Sequence, residues 1–395
     1  MLRVIKARLL IDGTGAEPLQ NPLIFIDGQH IERISSVQAA GGYWDKEAEL
    51  VDYSDKTIVP GLIDTHVHLA FAEGQDSAET RRILRNESKE KLAIRALRNA
   101  QRALLSGVTT VRDCGGPDLV ILTVRDAIES GLAMGPVILA SGAPITTTSG
   151  HLHWCGVTAD SVVEVRKATR HLIQSGVDFI KVMGTGGLMT PGSNPSKPQF
   201  TVGELRTIVG EAHRLGRHVA VHVHGTEGIR RAVEAGVDIL EHCSWFGLDE
   251  GDDYDPKLVS QIIEKGVYVS LQRKLAKRAL GESVTEKEYL ANEPWRDMVR
   301  QGVKVILGTD AGVANTVAFE SLPVVVAAAV NLLDMRPMDA IVACTGLAAK
   351  AFGLEQKIGT LEAGKRANMV VLDGDPREDL SNLTQVSQIF LDGKE

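Results

Sequence analysis

Val59-Pro60-Gly61-Leu62-Ile63-Asp64-Thr65-His66-Val67-His68-Leu69 is an apolar run that closes on two histidines one residue apart. In a strand, residues i and i+2 point to the same face, so His66 and His68 present two imidazoles side by side, as two ligands of one metal require. The pair alone is a modest signal, because histidines are often satisfied polar groups of a core. Its weight depends on whether the chain supplies further ligands at comparable places.

Downstream, strand-like runs alternate with helical ones. The strand candidates are 108–113, 136–141, 178–183, 217–225, 238–244, 267–272 and 304–308, which with the HxH strand make eight. Amphipathic runs of helical length fill most gaps, among them 88–105, 162–174, 202–215 and 226–235. Eight strands alternating with helices predict a (β/α)8 TIM barrel over residues 58–354. An open doubly wound sheet is the alternative, weakened by the lack of a Gly-rich phosphate fingerprint in the first βα unit.

Both ends of the chain read differently. Short β runs at 3–11, 23–27, 30–34 and 50–52 are punctuated by Asp12-Gly13-Thr14-Gly15 and Asp27-Gly28. The C-terminal end offers matching β material at 369–374 and 386–391. Neither end can bury a core by itself. The expectation is one small β-sandwich domain built from residues 1–57 and 355–395.

The ends of the barrel strands carry the polar groups. His66 and His68 close the first strand, Lys181 lies in the fourth, His222 and His224 close the fifth, His242 follows the sixth, and Asp310 follows the eighth. Catalytic residues of such barrels collect at the C-terminal strand ends. Individually each has a structural reading; Asp310, in Thr309-Asp310-Ala311-Gly312, could simply cap a helix. Lys181 sits among apolar neighbours, where a bare ammonium is expensive. It needs a partner, or a modification that inverts its charge. Carbamylation by CO2 would give an anion able to bridge two cations. Periodicity does not choose between His222 and His224, which share a face.

The HxH after Pro-Gly-Leu-Ile-Asp-Thr, followed in order by Lys, His, His and Asp, resembles the metal-dependent amidohydrolase superfamily over nearly the whole chain. The stretch 219–229, Val-Ala-Val-His-Val-His-Gly-Thr-Glu-Gly-Ile, is closer still, as are 238–242 and Ser149-Gly150-His151. These are similar to the prolidase-type branch of Xaa-Pro dipeptidases, related metallocarboxypeptidases and ochratoxinase-like amidases. The resemblance implies that His66, His68 and Asp310 bind one divalent metal ion and that His222 and His242 bind a second. It implies that Lys181, carboxylated, bridges the two. It puts His224 and His151 beside the substrate, although several dipeptidases of this branch carry a tyrosine at the position of His224. His153 and Trp154 match no motif of the branch.

Nitrogen and carboxylate donors suit zinc, and also manganese, cobalt or iron. Two such cations acidify a bridging water, and Asp310 can take its proton and pass it to a leaving nitrogen. The expected activity is hydrolysis of an amide C–N bond in a dipeptide, N-acyl amino acid or related small amide. A single-metal aminohydrolase or deaminase is the alternative, against which Lys181 argues. A non-enzymatic assembly protein on the same barrel is a third, against which the full ligand set argues. The loops around His151, at 188–198 and at 274–294 should set specificity.

The 395 residues carry a net charge of -8, which favours neither nucleic acid nor an acidic membrane as partner. No apolar run is long enough to span a bilayer, and residues 1–8 lack a signal-peptide core. The four cysteines show no CxxC spacing and read as reduced thiols of a cytoplasmic protein. A homo-oligomer is expected.

Overall fold

The computed structural model describes residues 2–39, 48–72, 76–249, 251–272, 284–313 and 317–395. Part of the specificity loop expected at 274–294 therefore lies outside the described residues; beyond it the chain forms the helices Glu286–Ala291 and Glu293–Gln301.

The decisive stretch is divided at Gly61. Val59 and Pro60 end a long strand, Glu49–Pro60, and the HxH segment is a separate strand, β1 (Leu62–Val67). A Cβ at Gly61 would lie 2.0 Å from Thr109 Oγ1, so only glycine lets the chain pass this close to its neighbour. The expected strand at 50–52 is the beginning of that twelve-residue strand, which crosses position 57 without a break.

Seven more parallel strands follow: β2 (Val108–Asp113), β3 (Val137–Ala140), β4 (Phe179–Met183), β5 (His218–Gly225), β6 (Ile239–Phe246), β7 (Tyr268–Leu271) and β8 (Lys304–Leu307). They form two ladders, β1-β2-β3 and β4-β5-β6-β7-β8. The first gap arises where the third strand breaks. After Ala140 the chain turns through Gly142 at φ +70° and rejoins as Ile145–Thr146, paired to Val182 of β4. Across this break, Asp178 N–H donates to Ala140 O at 2.8 Å. At the other edge, Asp310 N–H donates to His66 O (2.8 Å) and His68 N–H to Ala311 O (2.9 Å). The fold is α/β, of the TIM-barrel type, with its ladder in two sections rather than one continuous ring.

β1, β2 and β4 are buried at every position, so the polar residues they carry, such as Asp64, His66 and Arg112, are enclosed together with the apolar ones. The helices supply the cover. In Val202–Arg214, Leu205, Ile208, Val209 and Ala212 form the i, i+3, i+4, i+7 stripe and are buried. Thr201 and Glu204 close the N-terminus of this helix as a reciprocal capping box. Each large apolar side chain removed from water there contributes about 1.5–3 kcal/mol.

The two ends of the chain share one mixed sheet. Its order is Val386–Phe390, Met369–Leu372, Glu49–Pro60, Arg3–Leu10, Pro22–Asp27, His30–Ser36, with Leu19–Gln20 paired to Arg3–Leu10. Glu49–Pro60 runs parallel to Arg3–Leu10 and antiparallel to Met369–Leu372. Ile5, Ile24, Ile58, Met369, Val371 and Phe390 pack together as its apolar core. Among the described residues no helix is long and apolar enough to cross a membrane. All four cysteines are buried and unpaired.

Candidate active site

His66, His68, His151, Lys181, His222, His224, His242 and Asp310 all line one cavity of about 200 Å³. The sequence spread them over 245 positions; the parallel strands bring them together at one end. The structure thus collects every candidate named from the sequence.

Three donor atoms converge on the β1 side. His66 Nε2 lies 3.3 Å from His68 Nε2, and the two lie 3.4 and 3.5 Å from Asp310 Oδ1. The opposite ring nitrogens decide what these atoms carry. His68 Nδ1 faces Gly115 O at 2.7 Å, and a carbonyl only accepts, so Nδ1 bears the hydrogen. His66 Nδ1 faces Glu241 Oε2 at 2.8 Å in the same way. In neutral rings both Nε2 atoms are then bare lone pairs aimed at each other and at a carboxylate. Burial, then the charge of Lys181, lowers His66 to about 4, which keeps it neutral. With both rings neutral, three acceptors would face one another with no proton between them, an arrangement that a bound cation completes.

A second group lies opposite. Donor atoms of His222, His224 and His242 lie within 4.8 Å of one another. His222 Nε2 donates to Gly186 O at 3.2 Å, which leaves Nδ1 bare in the neutral ring. Burial pushes His222 and His242 well below the ordinary histidine range, with neighbouring histidines adding to it. His224 Nδ1 pairs with Ser244 Oγ at 2.8 Å, and its ring stacks on His242 and Phe246. Both His222 and His224 reach His242, so the choice that periodicity left open is not removed by proximity.

Lys181 lines the same cavity, fully buried, and its Nζ has no hydrogen-bond partner. An uncompensated ammonium costs several kcal/mol when desolvated. Two further residues are held in a costly backbone conformation. His242 and Asp310 have φ of +69° and +58°, the left-handed region, at about 1–3 kcal/mol each. Such strain persists where the surroundings impose it, which here is the site itself.

The loop after the third strand delivers His151. Gln199 Oε1 accepts from His151 N–H at 2.5 Å, and Thr146 Oγ1 donates to His151 O at 2.7 Å. The His151 ring stacks on His222 with centroids 4.7 Å apart, and its Nδ1 is buried without a partner. Burial, then His224, lowers it to about 3. A Cβ at Gly187 would lie 2.5 Å from this ring, so the 184–198 loop needs glycine there. His153 Nδ1 donates to Gly150 O, and Trp154 packs on Phe71, which stacks on His68. These two residues brace the site rather than face it.

Sequence reading missed the polar layer below the rings. Glu241 is fully buried, with Oε1 at 2.7 Å from Arg112 and Oε2 shared by His66 and Gln272. Burial opposes its charge, yet His66, Lys181 and Arg112 hold the carboxyl well below the usual range. The signal was present: Glu241 interrupts the apolar run Ile239-Leu240 just as Lys181 interrupts its own strand.

The chain is similar to known proteins over nearly its whole length. Residues 57–395 match the amidohydrolase family model. Ochratoxinase of Aspergillus niger is 29% identical over 423 residues, covering 99% of this chain and 86% of that protein. A solved Xaa-Pro dipeptidase with methionine bound in its active site shares 31% identity at a TM-score of 0.84, covering 100% of this chain and 99% of its own. The A. niger ochratoxinase structure superimposes with a TM-score of 0.83 and 27% identity, covering 99% and 94%.

Proposed function

Because this chain belongs to the amidohydrolase family, within its prolidase-type branch, we propose that it hydrolyses the amide C–N bond of a dipeptide, N-acyl amino acid or related small amide at a two-metal site. One observation carries the reading. His66 Nε2, His68 Nε2 and Asp310 Oδ1 lie within 3.5 Å of one another, in a cavity also lined by a buried Lys181 whose Nζ has no hydrogen-bond partner. That arrangement is unfavourable for an empty protein and favourable once cations and a bridging anion are supplied.

His66, His68 and Asp310 would hold one divalent ion, and His222 and His242 the other. Lys181 as a CO2-derived carbamate would replace an unpaired cation by an anion with two oxygens. Divalent ions such as zinc, when bound, supply an acidified water and a polarised carbonyl. Asp310 accepts the proton of the attacking water and returns it to the leaving nitrogen. His224 and His151, facing the cavity, orient the substrate carbonyl and its neighbours. Leu188, Met189, Phe246, Trp295 and Val313 exclude water around the scissile bond.

On this reading residues 58–354 act as the (β/α)8 barrel unit, and 1–57 with 355–395 as a satellite β domain. A cytoplasmic location accords with four unpaired, buried thiols, and a homo-oligomer is part of the same proposal. The test is a metal count on fully active protein, run beside a panel of dipeptides and N-acyl amino acids. Two equivalents per chain and turnover of the panel are expected. One equivalent in a fully active sample would move the assignment to a single-metal aminohydrolase.

A further inference from the structure

A buried polar chain joins the two sets of candidate ligands from below. Glu241 Oε2 accepts from His66 Nδ1 and from Gln272 Nε2, each at 2.8 Å. Gln272 Oε1 accepts from the backbone N–H of His242 at 3.1 Å. Gln272 Nε2 also donates to Ser270 Oγ at 2.5 Å. Arg112, Glu241, Ser270 and Gln272 are all buried.

The backbone explains why a side chain does this. The β6–β7 ladder ends at the pair Glu241 and Ser270. The next residue, His242, turns out of the ladder at φ +69°, and the Gln272 amide takes up its N–H. That amide is a planar group with one accepting and one donating end. Its oxygen must face the His242 N–H and its nitrogen must face the Glu241 carboxylate. A flip would break both contacts at once, so its orientation is fixed. A single side chain thereby sets His66 through Glu241, and His242 through its backbone.

We propose that Gln272 is a positioning residue that couples the two metal sites, so that filling one orders the ligand of the other. The inference rests on the two-metal reading above. Ordering shared by two sites lowers the entropy cost of the second binding event, and the coupling is reciprocal.

The test follows zinc leaving the full-length, metal-loaded chain. Samples are dialysed against buffers of stepwise lower free zinc, and metal per chain is measured by mass spectrometry, with circular dichroism and Tm recorded alongside. Wild type is expected to lose both equivalents in one concerted step. Gln272→Met, neutral and of similar length, removes both contacts. Its release should split into two steps, with the weaker equivalent leaving at about 10- to 100-fold higher free zinc, as expected for loss of a group that orients a ligand. Gln272→Glu keeps an acceptor for His242 but sets a like charge against Glu241, and should split the curve as well. A merely structural role would lower Tm and leave the release curve in one step.

Two independent steps in wild type would overturn the proposal without any variant being needed. So would a single, unshifted step in Gln272→Met or in Gln272→Glu. A wild-type chain that never holds more than one equivalent would instead count against the two-metal reading.

Discussion

Arg112 and Lys181 are both fully buried cations on barrel strands, and they live in opposite circumstances. Arg112 Nη1 donates to Glu241 Oε1 at 2.7 Å and to Thr65 O at 3.2 Å, and its guanidinium lies 3.9 Å from the Phe179 ring centre. Lys181 Nζ has no hydrogen-bond partner, although its charge still helps to hold the Glu241 carboxyl low. Burying a charge with its counter-charge is a structural solution, whereas burying one alone is a standing cost of several kcal/mol. On the proposed two-metal reading, a CO2 adduct and the cations complete the second arrangement. The difference separates framework from function more sharply than burial does, since burial is the same for both.

The largest effect should come from removing Lys181. Lys181→Ala is expected to lose bound metal and turnover together, and acetate or propionate should restore part of both by filling the vacated space. Full metal and activity in the variant would make Lys181 an ordinary core residue and collapse the contrast. Asp310→Asn should follow, with at least ~10²-fold lower kcat and the fold intact by circular dichroism, because the amide cannot carry the proton. Turnover near wild type with metal present would take Asp310 out of the chemistry.

Arg112→Met tests the other half. It removes the cation hydrogen-bonded to Glu241 Oε1, so chemical denaturation should show a loss of about 3–5 kcal/mol. Lys181→Met in metal-stripped protein should shift stability the opposite way, upward by about 1–3 kcal/mol, since an unsatisfied buried donor disappears. If both substitutions destabilise alike, the two cations are equivalent after all.

The smallest effect belongs to a solvated charge cluster, Glu211 with Arg170 and Arg214. Hydrogen bonds from these arginines lower Glu211 to about 2. A depressed carboxylate contributes above its unfolded pKa, near 4.5, and loses that contribution as pH falls towards about 2. The Tm difference between wild type and Glu211→Gln should therefore be small at neutral pH, smaller in salt, and vanish across that acid window.

Much of the site was legible because its residues break local rules. A lysine in Phe-Ile-Lys-Val-Met and histidines at i and i+2 are anomalies that one strand displays by itself. The layer beneath was not legible as a layer. Arg112 and Glu241 lie on two strands and Gln272 just past the end of a third, and nothing in any one of these segments says that their side chains meet. The same limit hid the break at Gly61, whose reason is Thr109 on the adjacent strand. The interruption of the third strand by Gly142 likewise depends on how its two halves pair with different neighbours. Periodicity reports what one element buries, and it is silent about which atoms of another element come within 3 Å.

The sheet made from both ends of the chain has a consequence for biosynthesis. Its central strand, Glu49–Pro60, gains one neighbour early, from Arg3–Leu10, and waits for Met369–Leu372 on its other side. While the ribosome makes the intervening segment, that strand keeps a bare row of N–H and C=O groups, a template for pairing with any extended nascent chain nearby. Contacts this distant in sequence also close slowly. The barrel strands therefore emerge before the sheet beside them can be completed, and strands made after the barrel are the ones that cover its open edge.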